Sequence, residues 1–156
     1  LKYTRLTKEQ LEELHPEFIN FLATQSITAE EWKDIKQNKP EVAEEELDIF
    51  SDLVWEGVLS KAEYLEHFSP QHIFLFKISE VQMQLIGIKV KNEAINITTK
   101  EGYAWLQGNL MDENVEIYTS TKVIKDDRNK DIFALIQQGA NITKGELFNY
   151  FDNMVD

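Results

Sequence analysis

Glu63, Glu66, His67 and His72 form the one cluster of metal-ligating residue types in the sequence. Glu63 and His67 are four residues apart, so a helix through this stretch puts both on one face. Ser69-Pro70 would then fold His72 back towards them. Two imidazoles and a carboxylate suit zinc or another divalent cation. Glu63, His67 and His72 would make the chain a metal-dependent enzyme, such as a hydrolase. The plainer explanation weighs more. A histidine in the last turn of a helix is favoured by the helix dipole, His72 can simply begin a strand, and open carboxylate and histidine groupings arise by chance on acidic surfaces.

Other chemical signatures fail on their spacing. Gly139 to Gly145 looks like a phosphate loop only on the surface. A phosphate loop needs a glycine before its lysine and a Ser or Thr after it, whereas Gly145 and Glu146 follow Lys144. Asp127-Arg128-Asn129-Lys130-Asp131 matches the first half of a calcium loop. The sixth position is then Ile132 where glycine is needed, and the twelfth is Gln138 where a bidentate Glu is needed. It reads as a polar turn with an Asp or Asn helix cap. No cofactor is implied, and no catalytic residue is assigned.

The richer signal is acidic. The 156 residues carry 16 Lys and Arg against 28 Asp and Glu, a net charge of -12, and 42% of them are hydrophobic. The bases form no stripe, so a phosphate backbone would be repelled and nucleic acid is excluded as a partner. The absence of cysteine excludes disulfides, thiolate metal sites and cysteine nucleophiles. The charge is concentrated early, because residues 1–66 hold 16 acids and 7 bases. At 100° per residue, Ala43, Leu47, Phe50 and Val54 share one face of a helix, and Glu41, Glu44, Glu45, Asp48, Asp52 and Glu56 share the other. Glu44, Asp48, Asp52 and Glu56 recur at i+4, with no Lys or Arg of the helix between them. Like charges at that spacing cost an exposed helix about 0.2–0.5 kcal/mol per pair. Trp55 falls among these acids. Burial in a second core surface is its first explanation. The functional alternative is an acid-rimmed aromatic anchor for a basic protein segment, formed by Glu44, Asp48, Asp52, Trp55 and Glu56. Tyr103 and Trp105 give a second aromatic pair, placed on one strand face, with the same core-first explanation.

The elements that must position these residues follow from local codes. Leu6-Thr7-Lys8-Glu9-Gln10-Leu11, Ile27-Thr28-Ala29-Glu30-Glu31-Trp32 and Ile142-Thr143-Lys144-Gly145-Glu146-Leu147 each spell a capping box with a hydrophobic staple. Ser60-Lys61-Ala62-Glu63 spells a further box and predicts a helix that ends before Ser69-Pro70. Pro16 predicts a kink or a break in the first helix. The acidic helix is expected from about Pro40 to Val58. Strands are expected over His72 to Ile78, Met83 to Val90, Ala94 to Thr99, Tyr103 to Gln107 and Val115 to Ile124. Asp131 to Gln138 reads as a helix with Gly139 just past its end.

This order predicts an α+β fold in a single domain over 1–156. A helical layer (1–68) packs on an antiparallel β-meander of about five strands (72–125), closed by two C-terminal helices (130–155). The chain shows neither a signal peptide nor an apolar run long enough to span a bilayer, so a cytoplasmic protein without a membrane partner is expected. Its oligomeric state is left open.

Lys2-Tyr3-Thr4-Arg5-Leu6-Thr7, Phe21-Leu22-Ala23, Phe50-Ser51-Asp52, Tyr64-Leu65-Glu66 and Ile142-Thr143-Lys144-Gly145-Glu146-Leu147-Phe148 resemble a small uncharacterised protein family of the Bacteroidetes. The resemblance covers the whole chain. It implies a compact bacterial domain and carries no assigned activity or site residues. The functional expectation is therefore a non-enzymatic intracellular protein-binding module, with the metal-dependent enzyme as its rival.

Overall fold

The computed structural model describes residues 1–155. They form two compact units, one spanning Leu1–Ser60 and one beginning at Lys61.

The first unit is helical: α1 (Lys8–Glu13), α2 (His15–Thr24), α3 (Ala29–Asn38) and nearly all of α4 (Pro40–Lys61). Thr7 and Thr28 cap α1 and α3, each accepting from the backbone N–H three residues on. Gln10 completes the box at Thr7 by accepting from its N–H at 2.8 Å. The expected break comes before Pro16, with Leu14 closing α1 and opening α2. Leu6, Phe18, Leu22, Trp32, Ala43 and Phe50 are the buried core. Its centre is aromatic, with the Phe18 ring edge-on to Trp32 and to Phe50 at 5.1 Å each.

The second unit is built on an antiparallel five-stranded sheet: β1 (Tyr64–Ser69), β2 (His72–Ile78), β3 (Gln82–Val90), β4 (Val115–Val123) and β5 (Asn141–Thr143), in the order β4-β3-β2-β1-β5. Helix α5 (Lys100–Gly108) interrupts the meander between β3 and β4, while α6 (Arg128–Gln137) and α7 (Glu146–Val155) flank β5. One sheet face carries Ile73, Leu75, Ile86, Ile88 and Val90, buried with Leu106 of α5 and with Phe148 and Phe151 of α7. The α+β class, the antiparallel sheet and the closing helices match the sequence expectation.

Four local expectations are corrected. Residues 64–69 are strand, so the helix proposed after Ser60 does not form; α4 runs through Ser60 to Lys61. Tyr64 and Phe68 pack against the sheet core from one side of β1, and Leu65, 1% exposed, is buried on the other. A strand buried on both sides loses the period-two signal. The strands expected over Ala94 to Thr99 and Tyr103 to Gln107 are replaced by a loop and by α5, which Thr99 caps by accepting from Gly102 N–H at 3.0 Å. Tyr103 and Trp105 therefore stand on a helix. Finally, Thr143 lies in β5 and accepts from Gly145 N–H, so α7 starts later than its apparent capping box.

Candidate functional site

The acidic row of α4 is occupied by the chain's own residues 2–5. The Arg5 guanidinium donates from Nε to Asp48 Oδ1 at 2.7 Å and from a terminal nitrogen to the Glu44 carboxylate. One turn further along, the backbone N–H groups of Lys2 and Tyr3 donate to the two oxygens of Asp52 at 2.7 and 2.9 Å. At the far end Glu56 accepts from Lys2 Nζ at 2.8 Å and from the Tyr3 hydroxyl. The segment thus runs antiparallel to α4. Even fully extended, the three steps from Lys2 to Arg5 would cover only about 10 Å, whereas the rise from Glu44 to Glu56 is about 18 Å. The long Lys2 and Arg5 side chains close the difference at the two ends.

This geometry reads main chain and side chains together. A carboxylate that takes two successive N–H groups recognises a bent main chain, because an extended one turns them to opposite sides, and the chain bends at Tyr3. A guanidinium shared by two carboxylates requires arginine at one end. Tyr3, 8% exposed, is the apolar anchor between them. Its hydroxyl is pushed up to about 12, first by burial and then by its hydrogen bond to Glu56. Trp55 is half-buried and packs against the helical core. The like-charge liability of the isolated helix is thereby corrected, because cations from outside it sit on the row. Lys2, Tyr3 and Arg5 escaped the sequence reading. Their one signal is two bases within four residues ahead of a strongly acidic helix.

The metal-ligand candidates fall differently. With 64–69 a strand, the helical face shared by Glu63 and His67 does not exist. Glu63 precedes β1, where its carbonyl accepts from Ile78 N–H at 2.8 Å. His67 lies opposite Phe74 in the ladder, and His72 stacks on the same Phe74 ring at 4.9 Å. Burial first, and then Lys89, lowers the His72 pKa. Glu66 alternates to the other side of β1. There it borders a cleft of about 270 Å³ with Thr143, Lys144 and Glu146, and burial raises its pKa. Among the described residues no three His, Asp or Glu side chains are grouped to hold a metal ion.

A cavity of about 380 Å³ lies between α6 and the sheet face opposite the core, on Phe76, Met83, Leu85 and Leu135 with Lys122 and Asp131 beside them. Among the described residues no helix is long and apolar enough to cross a membrane. Neither the curated proteins nor the solved structures contain a match to this chain. A family model matches it over residues 1–156, and the chain belongs to that family, DUF6495, a family of unknown function.

Proposed function

We propose that this chain is a non-enzymatic protein-binding module whose acidic row on α4 receives a short basic segment. The supporting observation is the way residues 2–5 lie along Glu44, Asp48, Asp52 and Glu56. The strip supplies acceptors for two successive main-chain N–H groups at its centre and carboxylates for a cation at each end. A partner segment carrying Lys-Tyr-x-Arg or a similar spacing has the chemistry to take the place of residues 2–5. The ion pairs holding those residues are partly exposed, with side-chain exposures of 32–60%. Such pairs are individually worth about 0–1 kcal/mol, so exchange with a partner of the same chemistry is energetically accessible.

The test frees the strip and offers it a ligand. In a Lys2→Ala, Arg5→Ala variant, a synthetic Leu-Lys-Tyr-Thr-Arg-Leu-Thr peptide should bind and change the Trp55 fluorescence. Adding Glu44→Lys, Asp48→Lys and Asp52→Lys should abolish that binding in a chain whose circular dichroism is unchanged. A freed, folded strip that ignores the peptide would mean the acids serve only to fasten residues 2–5.

A further inference from the structure

Among the described residues β4 is an outer strand of the sheet, and its outward edge is self-complementary. Its pairing with β3 is given by the ladder Gln82↔Val123 to Val90↔Val115. Just beyond its two ends, Ile124 N–H donates to Val81 O at 2.8 Å and Lys91 N–H to Asn114 O at 2.7 Å. Antiparallel ladders alternate hydrogen-bonded and non-bonded pairs. Even-numbered residues of β4 therefore bond to β3, and Val115, Ile117, Thr119, Thr121 and Val123 turn their N–H and C=O groups outward. Of these, the Val115 N–H is taken by the Asp112 carbonyl. From Tyr118 to Val123 every side chain is exposed, and Val123 reaches 64%.

A strand added to this edge must place its own outward residues opposite these. For a second antiparallel copy of β4, the register that overlaps the full strand puts Thr119 opposite Thr119 on a two-fold axis. Ile117 then faces Thr121, and Val115 faces the exposed Val123. On the other sheet face Glu116 falls directly opposite Lys122, twice, in the closer non-bonded type of pair. Sliding the register by two residues in either direction loses both charge pairs. Within its own chain, Glu116 pairs with Lys91 at 3.9 Å, with both side chains about half exposed, and its charge also acts on His72. The edge is thus neutral, with one acid and one base, on a chain of net charge -12. A lysine on an edge strand normally deters pairing with strangers. Here the same lysine meets a carboxylate when the stranger is a second copy. Tyr118 lies across Gly87 of β3, where an added Cβ would sit 2.1 Å from the ring. The ring is thereby held over its own sheet.

We propose that the protein forms a two-fold homodimer by antiparallel β4–β4 pairing centred on Thr119, making one continuous ten-stranded sheet. The interface is isologous, uses main-chain hydrogen bonds for affinity, and is independent of the α4 strip.

Sedimentation equilibrium of the full chain, from low to high micromolar concentration, should show a monomer–dimer equilibrium. Thr119→Pro removes an outward N–H that β3 does not use, a change an edge strand tolerates, and should abolish the dimer while the thermal melt stays cooperative. Glu116→Lys and Lys122→Glu, each alone, turn both cross-edge pairs repulsive and should weaken the dimer by about tenfold or more. An equimolar mixture of these two variants should recover it as a heterodimer. These charge variants decide the matter even if the proline variant misfolds. A wild-type chain that stays monomeric throughout, or a dimer indifferent to the charge reversals and their mixing, would overturn the proposal.

Discussion

The backbone N–H of Leu6 donates to the Ser51 hydroxyl at 3.0 Å, in a position where Ser51 is 0% exposed. The same hydroxyl donates back to the Leu47 carbonyl at 2.7 Å. Ser51 therefore links the turn before α1 to the middle of α4. It is the one buried polar side chain among the described residues. Ser51→Ala leaves a buried N–H without an acceptor and should cost about 1–3 kcal/mol. Urea unfolding of the two proteins measures it. A change of a few tenths would mean that the Leu6 N–H finds another acceptor.

Thr7, Thr28 and Thr99 all accept from a backbone N–H three residues ahead. Replacing any one by Ala should lower stability by about 1 kcal/mol. A common value at the three sites, read from chemical denaturation, would show that each cap acts alone.

Two glycines should respond in opposite directions. Gly145 has φ +84°, and an added Cβ would lie 2.5 Å from the Tyr64 ring. Gly145→Ala combines left-handed backbone strain with a clash against a ring packed on the sheet core, and a loss of about 1–3 kcal/mol is expected. Gly57 lies inside α4 with nothing within 4 Å of an added Cβ. Gly57→Ala should raise stability by about 0.5–1 kcal/mol. Thermal melts of both variants test the contrast.

Alkaline pH should loosen the hold on residues 2–5. The Tyr3 hydroxyl, ordinarily near 10, is pushed up to about 12 by burial and by its bond to Glu56. Since the folded value lies above the unfolded one, the contribution to stability is fully present below pH 10. It is lost as pH rises towards 12. Tyr3→Phe should be less stable than wild type at neutral pH, yet its stability should fall less over that interval. Denaturation midpoints measured from pH 9 to 12 decide it.

His72 should titrate below an ordinary histidine, because burial and then Lys89 disfavour its charged form and Glu116 offsets them only in part. A folded value below the unfolded one gives stability that is present above the unfolded pKa and lost as pH falls through the folded one. His72→Phe should therefore flatten the decline in stability below neutrality. NMR titration of the imidazole checks the direction independently.

Much of this molecule is legible residue by residue. Thr7, Thr28 and Pro16 fix helix starts and a break through bonds and clashes within one turn of chain. The apolar face of α4 follows from periodicity, and β2 and β3 from short apolar runs rich in β-branched and aromatic residues. What required the tertiary structure was every feature in which distant segments compete with a local code. Ser60 to Glu63 spells a helix cap, but α4 runs on to Lys61 and β1 follows from Tyr64, because its ladder to β2 and its burial on both sides outweigh about 1 kcal/mol of capping. Thr143 spells another, and pairing of β5 with β1 takes it. The acids of α4 were visible as a charged row. Their occupant, 39 to 54 residues away in the chain, was not, because charge attraction between segments carries no sequence period. The helical face assumed for Glu63 and His67 was likewise out of reach, because a four-residue spacing places two side chains side by side only in a helix, and residues 64–69 are strand.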